Sequence, residues 1–591
     1  MRKRRDWHHL LLKLRRRRII ETLGAFIAGG WLILEFVHWA LIMHYHLPEK
    51  IFDISLVSII CALLCTLLWR WFRSHESRPR KIKAELVLIP LIITAAFVTN
   101  VYFILQMKVP EEEIAWKTAW KNSIAVLPFQ DLSRVQDHND FCEGISDDII
   151  TKLGSIEGLR TLASKSSSLY KNSKKSMTQI GRELKVDWIL VGTLQVAQDR
   201  LRVNVQLIDG KKGFNIWTKS YMRKIDNCFD VQDEIAADMA RELKMDISKG
   251  KIDFLKKREP VNYKAYQAYQ WGKIYEKNYR EGLKKEDLEK SQEWYQQAIA
   301  LDKNYVLAYV GLGNLYEAHY VRENDEADAD QMAKFYQKAY ELDQEMPEAN
   351  LGLGWLYFYR GLNDLSYNSF KKAFELDPTN AEVNASVGSF LRSLGLYEKA
   401  AKYFLRAIET DPFTISHYSS AANCYFYYGE YEKAIRMVRL ALGIEPDNWR
   451  LHLNYARQLL MLGRYGEAEV EVDRAEKINS DSGLVRRHRA WLLAARGEVK
   501  KSASLISEND KPYSYEMTMI AALLGKTGET VDNIRTGIRV GFEEMKDYLY
   551  SYQFLASNPF YKPLLVEPEF QNLLKVEKAK YEEKLNKYAG L

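Results

Sequence analysis

A chain of 591 residues is too long for a single core, so several domains are expected. Its composition, 47% hydrophobic and 28% charged, suits folded protein and excludes wholesale disorder. The net charge of +7 is local, because residues 1–18 hold nine Lys or Arg and one Asp and the rest is close to neutral; nucleic-acid binding therefore does not follow from overall charge.

Five cysteines, Cys61, Cys65, Cys142, Cys228 and Cys424, form no C-x-x-C pair, which excludes a zinc ribbon or a thioredoxin-like motif. After the basic tail come three apolar stretches. Ile19 to Met43 is interrupted by Glu21, Glu35 and His38, and Ile54 to Trp69 is shorter. Leu86 to Leu105 has no charge over about twenty residues, the length that spans a bilayer. Residues 19–107 are accordingly expected to form three transmembrane helices, with Trp31, Trp39, Trp69, Trp71 and Tyr102 as interfacial anchors. The connecting segments alternate between basic, neutral, basic and acidic. That pattern predicts a cytoplasmic N-terminus and extracytoplasmic domains after about residue 108. The tail 1–18 is expected to favour anionic lipid. Glu35 and His38 share a helix face and read as a polar contact between spans before an ion site. His44 and His46 lack a third ligand, so no metal is expected there.

Residues 112–248 alternate between strand and helix patterns. Strands are predicted at Ser123–Phe129, Arg160–Ala163, Trp188–Gln195, Arg200–Asp209 and Phe214–Met222, and helices at Asp140–Ile156, Met177–Leu184 and Ile225–Leu243. "SKSSS", Ser164 to Ser168, reads as a loop. The apolar run Ile124 to Leu127 could open a catalytic loop, yet no GxGxxG, GxSxG, HExxH or Walker loop follows. Asp147 and Asp148 are adjacent, so a helix points them apart. They read as a solvated, dipole-favoured pair and not as an acid and base. No catalytic residue, cofactor or metal is expected.

The stretch "SIAVLPFQDLS…FCEGISDDIITKLGSIEGLRTLASKSS…IGRELKVDWILVGTLQVAQDRLRVNVQLIDGKKGFNIWTKSY…IDNCFDVQDEIA" resembles the TolB amino-terminal-like domain. That domain occurs beside tetratricopeptide (TPR) arrays in bacterial membrane proteins. Some relatives add a CadC-type winged helix, a class III adenylate cyclase or a kinase domain. The resemblance implies a non-catalytic module outside a bacterial inner (cytoplasmic) membrane. Cys142 and Cys228 stand where such domains have small or aliphatic residues. In an oxidising space they could form a bridge.

Beyond a linker at 249–260, a period of 34 residues emerges: Pro378, Pro412 and Pro446 are equally spaced. Gly388, Ala400, Phe404, Ala407 and Pro412 occupy the small, small, aromatic, small and proline positions of one TPR unit. Gly354, Phe370, Ala373 and Pro378 mark another, Ala422, Ala434, Ala441 and Pro446 a third, and Ala456, Ala468 and Ala475 a fourth. Small residues let paired helices approach, the aromatic fills the gap and proline stops the second helix. The array is expected over 261–584, ending in a cap near "NPFYKPLLVEPEFQNLL". "VRENDEADAD" lacks the glycine of a calcium loop and reads as a solvated acidic loop.

The expected fold class is thus three transmembrane helices, a small α/β domain and an all-α TPR solenoid. Such arrays bind peptide segments in a groove lined by the first helix of each unit. Repeat position nominates Asn314, Leu351, Trp355, Phe358, Ser389, Arg392, Asn423, Phe426 and Arg457. The 36 tyrosines fit TPR packing, so no RNA-stacking platform follows. The expected function is a non-enzymatic, membrane-anchored scaffold that holds a protein or peptide partner in this groove. The competing expectation is a transmembrane signalling component that senses a ligand through the α/β domain.

Overall fold

The computed structural model describes residues 19–36, 50–73, 85–106, 122–133, 139–154, 156, 158–245, 263–541 and 550–591. The basic tail, His38, His44, His46 and the 249–260 linker lie outside them. The chain divides into two compact units, 1–118 and 119–591.

In the first unit, α1 (Ile19–Phe36), α2 (Lys50–Arg73) and α3 (Glu85–Gln106) form from the three apolar stretches. Asn100 Nδ2 donates to Ser58 Oγ at 3.1 Å, joining α3 to α2. No helix among the described residues is long and apolar enough to cross a membrane. With 18 residues, α1 is about 27 Å long at 1.5 Å per residue, short of a bilayer core, and carries Glu21 and Glu35. Lys50, Asp53, Arg70 and Arg73 confine the apolar part of α2 to its middle. Glu85 opens α3, and Pro90 interrupts it. The expectation of three transmembrane helices is overturned. With it go the multi-pass inner-membrane location, the inside and outside assignment and the membrane embedding; the lipid contact expected of the basic tail falls on residues outside those described and gains no support.

In the second unit, a six-stranded sheet is built from β1 (Ser123–Val126), β2 (Gln130–Asp131), β3 (Arg160–Thr161), β4 (Trp188–Ala197), β5 (Arg200–Asp209) and β6 (Asn215–Lys224), in the order β3-β1-β4-β5-β6, with β2 beside β4. Parallel pairing joins β1 to β3 and β4; β4, β5 and β6 form an antiparallel meander. The buried alternation of β5, Leu201, Val203, Val205 and Leu207, turns one face toward α4 (Asn139–Gly154) and α7 (Cys228–Glu242). On the other face Ala125, Leu127 and Ile189 pack with Ile180 and Leu184 of α6 (Met177–Leu184). Cys142 and Cys228 are unbridged thiols buried in the first of these cores. "SKSSS" is not a loop but a short helix, α5 (Ser164–Ser168), whose Ser166 and Ser167 are buried. Serine favours helix ends over interiors, so only the partner that buries Ser166 fixes the turn.

The TPR array follows as helix pairs: α8 (Tyr263–Gly282) with α9 (Lys285–Leu301), α10 (Val306–Glu323) with α11 (Glu326–Leu342), α12 (Pro347–Tyr359) with α13 (Asn363–Leu376), and α14 (Ala381–Ser393) with α15 (Tyr397–Thr410). Next come α16 (Ile415–Tyr428) with α17 (Tyr431–Ile444), α18 (Trp449–Met461) with α19 (Tyr465–Ile478), α20 (Gly483–Ala495) with the six-residue α21 (Val499–Ser504), and α22 (Tyr515–Leu523) with α23 (Thr527–Val540). Gly361, Gly395, Gly429, Gly463 and Gly497 all sit at positive φ just past the first helix of a pair. There the chain reverses through a left-handed residue, which glycine adopts without a Cβ clash. A closing segment, α24 (Tyr552–Ser557), a 3-10 turn (Pro559–Val566) and α25 (Pro568–Lys587), ends the unit.

Candidate functional site: the first-helix groove and the docked α/β domain

Successive first helices touch one another as well as their own partners, so they make a continuous face. The structure divides the nominated residues into two groups along it.

In the early repeats, Asn314 is half-buried. Its Oδ1 accepts from Tyr336 Oη at 2.8 Å, and its carbonyl accepts from Arg280 Nη2 at 2.8 Å. Leu351 is buried. Trp355 is half-buried and stacks on Tyr359 at 6.0 Å, edge-on to Phe358 and Phe370. Phe358 also meets Phe390 at 6.5 Å. Ser389 and Arg392 are half-buried one unit further on.

The later group is already occupied. Arg457 lies over the Phe426 ring at 4.3 Å and also donates to Asn423 Oδ1. Phe426 is completely buried, packed against Phe554 of α24 at 5.4 Å. Asn558 donates to Met519 Sδ, and Phe560 meets Trp491 edge-on at 6.2 Å. At the far end, Lys399 Nζ holds the carbonyls of Tyr588, Ala589 and Leu591, and Tyr588 packs on Phe390. Phe426 therefore belongs to the seat of the chain's own closing segment, and Arg457 is taken up by Phe426 and Asn423. Repeat position alone could not reveal this, because the segment lies outside the period.

Sequence reasoning also missed the charge of the early face. Glu276 accepts from Arg280 (2.9 Å) and Tyr295 (2.7 Å); Glu317 accepts from Tyr336 (2.6 Å) and Tyr359 (3.2 Å). Burial pushes the Glu317 carboxyl up, against those hydrogen bonds and Arg280. Glu382 remains open to solvent yet is walled by protein. That confinement, with Glu348, Glu276 and Glu317 nearby, pushes its carboxyl up to about 6 despite Arg280. Glu348 and Glu382 stand one repeat apart, so the 34-residue register carried the signal.

The α/β domain docks on the array at two places. Tyr263 and Tyr266 of α8 enter its first core, where both meet Phe141 edge-on. Asp148 accepts from Tyr266 Oη at 2.6 Å and Gln232 Nε2 at 3.0 Å, and Asp147 pairs with Lys273 at 3.1 Å. The aspartate pair expected to be solvated is thus part of an interface. Nothing local marked it, because its array partners are more than a hundred residues away. At the second place, Ser166 Oγ donates to Asp411 Oδ1 at 2.6 Å, and Thr414 and His417 flank the same carboxylate at 2.5 and 3.5 Å. Phe413 packs on the second core, against Tyr170.

Burial disfavours the Asp411 anion, but the hydrogen bonds from His417, Ser166 and Thr414 outweigh it and hold the carboxyl below the usual aspartate value. A depressed pKa contributes stability above the unfolded value that is lost as pH falls through the folded one. Asp411→Asn is therefore expected to lower stability by about 1–3 kcal/mol at neutral pH. Thermal melts of both forms should converge as pH drops below about 4.

Comparison with known proteins agrees with this division of the second unit. Residues 120–238 match the second domain of HilA/YgeH-like transcriptional regulators, and residues 283–319, 351–414 and 425–492 match tetratricopeptide repeat families. TPR repeats and a HilA/YgeH-like second domain are present. Over 146 residues the chain is 36% identical to "Putative adenylate cyclase 3" of Rhizobium meliloti (strain 1021). That alignment covers 25% of this chain and 25% of the relative. Among solved structures, the TPR protein YrrB aligns at 21% identity and TM-score 0.27, covering 32% of this chain and 95% of YrrB. The type IV pilus biogenesis factor PilW aligns at 20% identity and TM-score 0.32, covering 36% and 97%.

Proposed function

We propose that this protein is a non-enzymatic interaction scaffold that receives an extended partner segment on the first-helix face of its early repeats. The observation that carries this reading is the division of that face. Phe426 is covered from within the chain and Arg457 is taken up by Phe426 and Asn423, whereas Trp355, Ser389 and Arg392 stand half-buried on first helices of the face that also carries Glu317 and Glu382. Aromatic and amide groups suit a peptide backbone, and carboxylates suit a segment bearing a basic side chain. Leu351 and Phe358 would support the wall of this site and Asn314 its rim.

The relatives' names, a transcriptional regulator and an adenylate cyclase, are regulatory. They support an α/β module that accompanies effector domains. The scaffold would thus bring a partner to a regulatory assembly.

Crosslinking and pull-down from intact cells tests this. Ser389→Arg is expected to reduce capture of a specific protein at least tenfold with the melting temperature kept, and Trp355→Ala to reduce it as much while lowering the melting temperature through lost contacts with Phe358, Tyr359 and Phe370. Added salt should weaken capture as well. A partner captured equally by wild type and both variants would sink the groove reading.

A further inference from the structure

Among the described residues, one edge of the α/β sheet is open. β6 pairs with β5 and stands last in the strand order. It is ten residues long, against the usual five or six, and contains no proline. Its one register shift lies at Leu207/Ile208, opposite the strand's first residues. Natural sheets blunt an edge with a bulge, a proline, a cover or outward charge. Here Ile216 and Met222 are exposed at 43% and 47%, as is Phe214 just before the strand at 68%. Lys219 and Arg223 are tied down within their own chain, to Asp238 at 2.6 Å and Glu234 at 2.5 Å.

The direction of the edge's polar groups follows from one bond. Ile225 N–H donates to Asp199 O at 2.8 Å, and the register is unbroken from Arg200–Lys224 to Leu207–Trp217. Hydrogen-bonded positions alternate in an antiparallel pair. Odd-numbered residues of β6 therefore bond to β5, and the N–H and C=O groups of Thr218, Ser220, Met222 and Lys224 point out of the sheet.

We propose that this edge pairs antiparallel with the same edge of a second copy of the chain, about a two-fold axis at Ser220, giving one continuous sheet across a dimer. In that register Ser220 faces itself, Thr218 faces Met222, Lys219 faces Tyr221, Trp217 faces Arg223 and Ile216 faces Lys224. No like charges stand directly opposite one another, and two pairs set a cation beside an aromatic ring. Moving the axis to Lys219 would bring two ammonium groups together. A second copy is the fitting occupant because the strand is complementary to itself. A two-fold axis pairs the β6 edge of each copy with that of the other, so neither is left open. This inference is independent of the groove.

The test uses the full chain with Cys61 and Cys65 replaced by serine. Under mild oxidation Ser220→Cys is expected to give a covalent dimer. Thr218→Cys or Met222→Cys alone should not, and the two combined should. By light scattering the unmodified chain is expected to be dimeric. Ser220→Lys, which sets like charges at the axis, should raise the dimer Kd at least tenfold with its melting temperature unchanged. A monomeric wild-type chain would overturn the proposal. So would Ser220→Cys crosslinking no better than Ser168→Cys on the exposed side of helix α5, or a stronger crosslink at Thr218 alone.

Discussion

Replacing Tyr336 with alanine is expected to destabilise the repeat array by about 3–5 kcal/mol, the range for deleting a buried aromatic. Tyr336 is fully buried in α11. Its ring fills the space left by two glycines in neighbouring first helices: a Cβ at Gly313 would lie 2.4 Å from it, and one at Gly352 2.2 Å. The alanine variant would leave a cavity between three helices and strip Glu317 and Asn314 of a shared donor. Tyr336→Phe keeps the packing and removes only the hydroxyl, so about 1–3 kcal/mol is expected for the buried acceptors left behind. Stability in such arrays is held between neighbouring repeats, so denaturant melts should show the early units unfolding first. Equal melts for the alanine variant and wild type would contradict the role of Tyr336 as the joint between the second and third repeats.

Phe554→Ala is expected to act at the opposite end with similar size, about 3–5 kcal/mol. The ring is fully buried and touches Phe426 (5.4 Å), Tyr427 (5.1 Å), Tyr550 (6.2 Å) and Tyr561 (6.2 Å). A Cβ added at Gly429 would lie only 2.7 Å from Ser557, so the segment lies directly on the turn of the fifth repeat. Loosening it should expose Phe426 and Trp491. A rise in binding of a hydrophobic dye before the main unfolding transition would report that. Unchanged dye binding and an unchanged melt would mean that the closing segment is dispensable and that the later groove is open after all.

The periodic part of this protein is legible from its residues without any coordinates. Small residues, aromatics and prolines at 34-residue spacing must make stacked helix pairs, because each side chain's task depends on neighbours at fixed offsets. The alternation of β5, Leu201 to Leu207, likewise dictates a half-buried strand. Apolar run length does not decide the membrane question: Glu21, Glu35, Asp53 and Pro90 sit within or beside the runs, and the helices that form are too short or too interrupted. Which groove residues are open depends on the folded chain. Arg457 and Trp355 hold the same repeat position three units apart, yet Arg457 is buried on Phe426, the ring that the distant closing segment covers. The same holds for Asp148 and Asp411. Each looks like an ordinary surface carboxylate until a distant tyrosine or serine reaches it, because a buried polar group is defined by its partner and the partner is set by the fold.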